Sequence, residues 1–276
     1  MTVIKYPGSK NSMAQWIIQH FPAGYESMTY LEPFFGSGCV FFNKKPSQIE
    51  TLNDIDSEVF NLFTQIRENT EQLIFLVENT AWSRNEYVLA FEKCDCQIEM
   101  ARRFLVRAWF SIGSAYMDKS SIRMNIDRAT GGHDYFHQKL PETLRETSKR
   151  LKSMPGHYVQ VENRNAFELI QKYDRKNVLM YLDPPYVSDT RKHKKIYKYE
   201  MNDNDHTQLL EMIITLKANV LISGYENELY NKYLEKWNKR LNVSTDEAGN
   251  RRIECLWFNY NSRQFDLFSQ GAVYAG

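Results

Sequence analysis

The chain has 276 residues, 42% of them hydrophobic and 25% charged, and its formal net charge is +1. This composition is typical of a globular protein, and no stretch approaches the roughly 20 apolar residues that span a bilayer. Because residues 1–10 also lack the apolar core of a signal peptide, we expect a cytoplasmic protein with no membrane partner.

Cysteine and histidine spacing gives no reason to expect a metal. Four cysteines are too few for a disulfide framework in a chain of this size, and Cys94 and Cys96 are not at the spacing of a zinc finger. His133 and His137 can share one face of a helix, but no third ligand accompanies them. We therefore predict that the protein binds no metal.

The first predicted elements are a helix over residues 12–21 and two buried strands, at 28–31 and 49–53. The first strand runs into a glycine-rich turn, Glu32-Pro33-Phe34-Phe35-Gly36-Ser37-Gly38, and the second ends at Asp54. Glycine permits positive φ and a close approach of a ligand to the backbone. A carboxylate at the end of the next strand can accept both ribose hydroxyls of a nucleoside cofactor. The pair indicates either an adenosine-containing ligand or a plain structural turn.

From residue 57 to 155 the pattern changes from strands to helices. Apolar residues recur at helical spacing, as in Val59, Leu62, Phe63 and Ile66. A helix-rich block of about 100 residues is too long for a loop. We therefore predict an inserted domain at 57–155 within a discontinuous domain formed by 1–56 and 156–270. Residues 101–152 carry eleven Lys/Arg against five Asp/Glu, which indicates either a solvated face or a surface for a polyanion.

Two further strands are predicted at 157–162 and 178–182, and the second ends at Asp183-Pro184-Pro185-Tyr186. Open α/β sheets place their ligands at this end of a strand. An exocyclic amine of a purine is a poor nucleophile, because its lone pair is conjugated into the ring. The Asp183 carboxylate and the Pro184 carbonyl can each accept one N–H of such an amine, in bonds that strengthen as positive charge develops. Tyr186 can stack on the base. The alternative is a stiff turn after a strand.

The remaining elements complete the sheet. They are a helix at 205–217, a strand at 220–224, and a hairpin of 241–245 and 252–260 around a turn at 246–250. Short apolar runs that alternate with helices predict an α/β fold whose sheet is covered on both faces. A second basic run, Arg191-Lys192-His193-Lys194-Lys195, follows Tyr186, and residues 271–276 are predicted to be an unstructured tail.

Four motifs, in this order, resemble those of the alpha-group (Dam-type) DNA N6-adenine methyltransferases, and most of all the short phage and prophage members. They are Lys5-Tyr6-Pro7-Gly8-Ser9-Lys10, the glycine-rich turn, Asn53-Asp54-Ile55-Asp56 and Asp183-Pro184-Pro185-Tyr186. Residues 197–206, with Met201 and His206, and 221–225 are similar to later motifs of that family. The resemblance implies a Rossmann-like, seven-stranded methyltransferase sheet closed by the antiparallel hairpin, with 57–155 as a helical target-recognition insert.

The resemblance also implies roles for individual residues. Tyr6 and Lys10 are expected to bind S-adenosylmethionine, Asp54 to hold its ribose, and Asp183 to lie where the cofactor and the base meet. Further cofactor contacts are expected from Glu32, Phe34, Gly36 and Gly38, and the catalytic residues are expected to be Asp183, Pro184, Pro185 and Tyr186. The insert lacks a clean counterpart of the Dam recognition hairpin. Arg123-Met124-Asn125 and Gly131-Gly132 are candidates for one, and the target sequence, GATC or another, stays open.

The function implied is methylation of N6 of adenine in a short, specific sequence of double-stranded DNA, by base flipping and direct in-line transfer. We expect base contacts from Arg123, Asn125 and Arg128 and phosphate contacts from Arg191, Lys192, Lys194 and Lys195. We also expect the protein to be a monomer. Whether a restriction enzyme accompanies it, as in restriction-modification systems, stays open.

Two alternatives remain at this point. One is a methyltransferase of the same fold that acts on RNA adenine, cytosine N4 or a protein glutamine, although those relatives more often carry Asn or Ser in place of Asp183. The other is an inactive DNA-binding module, which would need a broken cofactor site, whereas every expected cofactor position is occupied by a suitable residue.

Overall fold

A computed structural model describes residues 2–5, 8–112, 122–124, 132–187, 198–245 and 251–261. Its strands are β1 (Thr29–Glu32), β2 (Ile49–Asn53), β3 (Tyr158–Glu162), β4 (Val178–Leu182), β5 (Asn219–Tyr225), β6 (Asn238–Thr245) and β7 (Arg251–Phe258). They form one sheet in the order β3-β2-β1-β4-β5-β7-β6, in which β1 to β5 are parallel and β7 runs antiparallel to both of its neighbours. The predicted α/β fold with a seven-stranded methyltransferase sheet is confirmed.

Helices connect the strands. They are α1 (Ala14–Gln19), α2 (Cys39–Asn43), α3 (Ser57–Glu68), α4 (Thr70–Glu78), α5 (Arg84–Leu89), α6 (Gln97–Phe110), α7 (Gly132–Asp134), α8 (Leu140–Leu151), α9 (Ala166–Lys172), α10 (Asp203–Ile213) and α11 (Glu228–Tyr233). Several begin at side chains that accept a hydrogen bond from a backbone N–H of the first turn, as Asp56 does for α3 and Asn165 for α9.

The two faces of the sheet bury different side chains, because successive residues of a strand point to opposite faces. Tyr30 and Leu179 are partners across β1 and β4 and belong to one core cluster, whereas Leu31 and Met180, one residue further along, belong to the other. The first face packs against α1 and the helices between β2 and β3, and the second packs against α10. A sheet covered on both faces presents ligand-binding residues only at the ends of its strands.

Helices α3 to α8 make up most of the described residues in the block between β2 and β3, which also contains an isolated β-bridge between Ser111 and Ile122. The apolar residues that predict α3 (Val59, Leu62, Phe63 and Ile66) are all fully buried. They share one continuous core with the sheet, and the Phe63 ring lies 4.8 Å from that of Phe35 in the glycine-rich turn. The boundaries of the predicted insert and of the discontinuous domain stay a prediction.

A buried ion cluster also joins the helical block to the sheet. The Glu50 carboxylate on β2 is fully buried and contacts Lys44 Nζ at 2.5 Å, Arg150 on α8 at 2.5 and 2.8 Å, and His157 Nε2 at 2.7 Å. Burial raises the pKa of Glu50, but hydrogen bonds from Arg150 and the charge of Lys44 more than offset it and hold that pKa at about 2. The carboxylate is therefore ionised at neutral pH, and it fixes α8 against β2.

Two predicted helix boundaries were wrong. The helix predicted at 12–21 is shorter at both ends, because α1 spans only Ala14–Gln19. The helix predicted at 205–217 starts earlier and ends earlier, at Asp203 and Ile213. The early start has a local cause, because the Asn202 side chain and Asp205 form a reciprocal capping box. The hairpin of β6 and β7 is present, while its predicted turn at 246–250 and the predicted tail at 271–276 lie outside the described residues.

Candidate active site

A cavity of about 260 Å³ opens at the carboxyl ends of β1, β2 and β4. Most of the segments that line it follow strands that are neighbours in the sheet, which places residues far apart in the sequence around one space. They are residues 8–10, the turn after β1, residues 54–56 after β2, residues 165–167 before and in α9, residues 183 and 185 after β4, and residues 198–201 before α10.

The glycine-rich turn needs glycine for two separate reasons. Gly36 and Gly38 adopt φ values of 51° and 68°, in the region that L side chains avoid. A Cβ on Gly38 would also lie 2.3 Å from the Phe35 ring. Two backbone contacts tie the turn to the end of β2, from Phe35 N to Asn53 O at 2.9 Å and from Gly36 N to Asp54 Oδ2 at 2.8 Å.

Asp54 lies on the cavity wall and accepts hydrogen bonds from two backbone N–H groups. Gly36 N donates to Oδ2 and Asp56 N donates to Oδ1, both at 2.8 Å. Burial raises the pKa of Asp54 to about 6, although both of these bonds lower it. Each carboxylate oxygen retains lone pairs, so the side chain can still accept hydrogen bonds from a ligand.

Two more acidic residues line the same cavity. Asp56 is 2% exposed, its Oδ1 accepts from Glu58 N at 3.0 Å, and its Oδ2 is buried without a hydrogen-bond partner in the described part of the chain. Glu32 is also 2% exposed and accepts from the Tyr30 hydroxyl at 2.7 Å. Burial raises the pKa of Glu32 to about 8, and the nearby Asp183 charge adds to the effect. Glu32 is therefore mostly protonated at neutral pH.

Asp183 follows β4 and is held by side chains. Ser223 Oγ, from the end of β5, donates to Asp183 Oδ1 at 2.7 Å, and the Tyr181 hydroxyl lies 3.2 Å from Ser223 Oγ. Lys10 Nζ lies 3.2 Å from the same oxygen. No described residue donates a hydrogen bond to Asp183 Oδ2, so this oxygen is available to a ligand.

Tyr186 is fixed at three points. Its hydroxyl donates to Glu254 Oε2 at 2.7 Å, its ring packs edge-on against Tyr225 with centroids 4.8 Å apart, and Lys10 Nζ lies 4.6 Å from its ring centroid. Burial raises the pKa of Tyr186 well above its usual value, and the charges of Asp183 and Glu254 add to the effect. The phenol is therefore neutral and remains a hydrogen-bond donor.

The cofactor residues that the sequence predicts lie around one cavity where the structure describes them. Lys10, Glu32, Phe34, Gly36, Asp54 and Asp183 line it, and of the predicted catalytic residues Asp183 and Pro185 line it. Gly38 belongs to the turn beside it, and Tyr6 lies outside the described residues. Lys10 Nζ is engaged by Asp183 and by Gly8 O at 2.8 Å. Met201 lines the cavity too, whereas His206 is a core residue that contacts the Tyr230 hydroxyl at 3.0 Å.

Among the residues predicted to contact DNA, the structure describes Arg123 only. Its backbone N–H donates to Phe110 O at 2.7 Å, and its carbonyl accepts from Trp82 Nε1 at 2.9 Å. The Trp82 ring stacks on Phe110 with centroids 3.8 Å apart, so the backbone of Arg123 is fixed on the helical block. The other predicted contacts, Asn125, Arg128, Arg191, Lys192, Lys194 and Lys195, lie outside the described residues.

Sequence reasoning assigned no role to several residues of the site, although Ser223 lies within residues 221–225, which are similar to a later family motif. Ser223 and Glu254 contact Asp183 and Tyr186 from strands that are 40 and 68 residues away in the chain. Lys198 lines the cavity and lies 3.4 Å from Asp56 Oδ1 and 3.6 Å from Glu58 Oε2. For Ser223 a signal existed, because a polar residue ends the apolar run of β5 beside the strand that ends at Asp183.

Within the described residues, no helix has both the length and the apolar character needed to cross a membrane. The same residues contain no group of three or more His, Cys, Asp or Glu side chains arranged to hold a metal ion. The four cysteines are free thiols, and His137 contacts the Thr80 carbonyl at 2.8 Å.

The α/β sheet places the Asp54 and Asp183 carboxylates around one cavity at the carboxyl ends of its strands. A family model described as D12 class N6 adenine-specific DNA methyltransferase matches residues 6–248. The chain therefore belongs to this family, which implies adenine-specific methylation of DNA with S-adenosylmethionine as the methyl donor.

Individual relatives agree with the family match. The chain is 27% identical to type II methyltransferase M1.LlaDCHI of Lactococcus lactis subsp. cremoris, over 66% of this chain and 64% of that protein. It is 21% identical to type II methyltransferase M.MjaIII of Methanocaldococcus jannaschii, over 93% of this chain and 98% of that protein. It is 23% identical to the DNA adenine methylase of Salmonella typhi, over 84% and 83% of the two chains. Among solved structures, the rRNA methyltransferase aviRa from Streptomyces viridochromogenes covers 91% of this chain and 85% of its own, with a TM-score of 0.38 and 10% identity.

The residues around the cavity fit the cofactor that the family implies. Ribose hydroxyls are hydrogen-bond donors, and the wall offers the Asp54 carboxylate and the buried, unpartnered Oδ2 of Asp56 as acceptors. An adenine ring needs apolar surface, which Ile55 and Phe167 provide on the same wall.

Proposed function

We propose that this chain methylates N6 of adenine in a short, specific sequence of duplex DNA, with the target base flipped out of the helix and the methyl group transferred directly. The observation that carries the proposal is the state of Asp183. One of its oxygens is fixed by Ser223 and Lys10, and the other is available to an incoming amine at the edge of the cofactor cavity.

When bound, S-adenosylmethionine would supply an electrophilic methyl group on its sulfur, and Asp54, Glu32 and the backbone of the glycine-rich turn would hold the cofactor. Asp183 Oδ2 and the Pro184 carbonyl accept the two N–H bonds of the target amine and orient its lone pair toward the methyl group. Proline has no backbone N–H, so the Pro184-Pro185 segment presents carbonyls on a backbone of fixed φ. The negative charge of Asp183 stabilises the positive charge that develops on N6, and this interaction is stronger in the transition state than in the ground state.

A single transfer assay separates this function from its alternatives. Tritiated S-adenosylmethionine is supplied with duplex DNA, RNA or protein in parallel, and the modified nucleoside is identified by chromatography. We expect label in N6-methyladenine of DNA, and transfer by Asp183→Ala that is lower by at least about 10²-fold. Label in RNA, in N4-methylcytosine or in glutamine would overturn the proposal in favour of that substrate. Absence of transfer to DNA, RNA and protein would favour an inactive DNA-binding module. Size-exclusion chromatography with light scattering tests the expected monomer.

The helical block is proposed to choose the DNA sequence, while Arg191 to Lys195 hold phosphates. Support comes from the fixed backbone of Arg123, because a base-reading side chain needs a rigid mount. We expect Arg123→Ala to relax discrimination at one base pair by about 1–3 kcal/mol. Lys194→Ala with Lys195→Ala should instead weaken binding to all duplexes. The slope of log affinity against log salt concentration should also become shallower by up to about two units.

Methylation profiles over a random-sequence library test this division. Arg145→Ala is the matched control, because Arg145 is an arginine of the same helical block that pairs with Glu71 and Glu142 on its surface. If the lysine pair altered the preferred motif and Arg123→Ala did not, the two surfaces would have the opposite roles.

A further inference from the structure

Glu254 does not line the cavity, but it contacts Tyr186. It lies on β7, is 8% exposed, and pairs in register with Tyr225 of β5. Both side chains reach Tyr186, Glu254 through a hydrogen bond of 2.7 Å to the hydroxyl and Tyr225 through an edge-on ring contact. The contact depends on the antiparallel β7 lying between β5 and β6, which brings a carboxylate from 68 residues away to the ring.

A buried carboxylate is costly unless it is paired, and its strongest hydrogen bonds are those that it accepts while ionised. Tyr186 stays neutral and keeps its proton as a donor, because burial and the neighbouring carboxylates raise its pKa. A tyrosine that rotates freely about two side-chain torsions loses entropy when it must stack on a base. A ring held at its hydroxyl and its edge has already lost that freedom before the base arrives.

We propose that Glu254 is a positioning residue, which holds the Tyr186 ring in the orientation that accepts the flipped adenine. The inference rests on the proposed function, since Tyr186 is taken as the stacking surface for the target base. Glu254 itself contacts neither the base nor the cofactor in this assignment. It acts on base entry through the Tyr186 hydroxyl.

The test is a double-mutant cycle between the two partners. The variants are Glu254→Ala, Tyr186→Phe and the double variant. Glu254→Gln is the conservative variant, because an amide oxygen still accepts a hydrogen bond from the Tyr186 hydroxyl. Duplex DNA with 2-aminopurine at the target adenine reports base flipping by fluorescence, and single-turnover methylation reports the rate. Calorimetric titration with S-adenosylhomocysteine reports the cofactor site.

We expect Glu254→Ala and Tyr186→Phe each to reduce flipping and the single-turnover rate by about tenfold, as loss of a charge-assisted hydrogen bond implies. The pair should be no worse than either single variant, Glu254→Gln should recover most of the loss, and cofactor affinity should stay within twofold. Effects that multiply in the pair would overturn the inference. So would a loss of flipping in Glu254→Ala that Tyr186→Phe does not share, or a defect confined to cofactor affinity.

Failure of the proposed function is distinguishable from failure of this inference. If the unaltered protein methylated no DNA, the function would fail. The same cycle read from thermal unfolding would still test the hydrogen bond, because a Glu254–Tyr186 interaction makes the two substitutions non-additive in melting temperature. Additive shifts in melting temperature would show that the two side chains do not interact, and would overturn the inference.

Discussion

Asp54 and Asp183, at the two ends of the cavity, are held in different ways. We call the ends of β1 and β2 the cofactor end and the ends of β4 and β5 the transfer end. At the ends of β1 and β2, Asp54 accepts its hydrogen bonds from the backbone of Gly36 and Asp56. At the ends of β4, β5 and β7, Asp183 and Glu254 accept theirs from side chains. Backbone donors are present whatever the side chains are, whereas each side-chain donor is a separate residue that a substitution can remove.

The difference corresponds to two tasks. A cofactor site must keep its hydrogen-bond acceptors in one place for each ribose that binds, and main-chain amides hold such acceptors rigidly. A transfer site must hold one oxygen of Asp183 while leaving the other for the amine, and contacts from Ser223 and Lys10 to Oδ1 achieve this. We therefore expect cofactor binding to depend on Asp54 and on the glycines of the turn that holds it, and methyl transfer to depend on Asp183 and also on its side-chain partners.

The largest effect is expected at the transfer end. Asp183→Ala should lower the single-turnover rate by about 10²- to 10³-fold or more, because it removes an acceptor that stabilises developing positive charge. DNA affinity should stay within a few fold, since phosphate contacts elsewhere supply most of the binding. Rapid-quench methylation and a filter-binding titration measure the two quantities. Retention of a tenth of the rate would show that Asp183 is not the catalytic carboxylate.

At the cofactor end, Asp54→Ala should weaken S-adenosylhomocysteine binding by about 10- to 100-fold, from charge-assisted bonds of about 1.5–3 kcal/mol. The rate at saturating cofactor should change much less, which is the opposite pattern to Asp183→Ala. Isothermal calorimetry provides the dissociation constant, and Asp54→Asn is the control that keeps an acceptor for Gly36 N. An unchanged constant with an intact fold would mean that the ribose is held elsewhere, and Asp56 would be the next residue to test.

A smaller effect is expected from a partner of the catalytic carboxylate. Ser223→Ala removes the 2.7 Å donor to Asp183 Oδ1, and alanine fits the space of a residue that is 1% exposed. We expect the single-turnover rate to fall by about tenfold, as loss of a hydrogen bond to a charged group implies, while S-adenosylhomocysteine affinity stays the same. A variant with the full rate would contradict the claim that the transfer end depends on side-chain partners.

The sequence predicts the carboxylates Asp54 and Asp183 better than the side chains that hold Asp183 and Tyr186, for a physical reason. Both β2 and β4 are predicted at their observed bounds, because Asp54 and Asp183-Pro184-Pro185 mark the points at which these strands end. The glycine-rich turn and Asp54 are local signals of the same kind. Glu254 carries no local signal, and the polar residue that ends the apolar run of β5 does not show what Ser223 contacts. Both roles depend on which strands are neighbours, and that of Glu254 also depends on a register that pairs it with Tyr225.

The alternation of side chains along β4 and β5 explains why Asp183 and Ser223 meet. Tyr181 and Leu221 are register partners that face the core shared with the helical block, so Asp183 and Ser223, two residues further along each strand, lie on that same side. A correct strand order would have placed them together. The order 4-5-7, with β7 antiparallel, is a property of the assembled sheet, and no short motif encodes it.

The smallest effect is a pH dependence at the cofactor end. Burial raises the pKa of Asp54 to about 6 in the free protein, and a ligand hydroxyl that donates to the carboxylate favours its charged form. Cofactor binding therefore lowers this pKa and releases a proton, so the affinity is greatest above pH 6 and falls as the pH drops below it. The decrease is at most about tenfold per pH unit for one group, because one pKa unit corresponds to about 1.36 kcal/mol. Calorimetry with S-adenosylhomocysteine from pH 5 to 8, in buffers of different ionisation enthalpy, measures both the affinity and the proton release. Asp54→Asn should remove the inflection near pH 6, and an inflection that persists in this variant would assign it to another group.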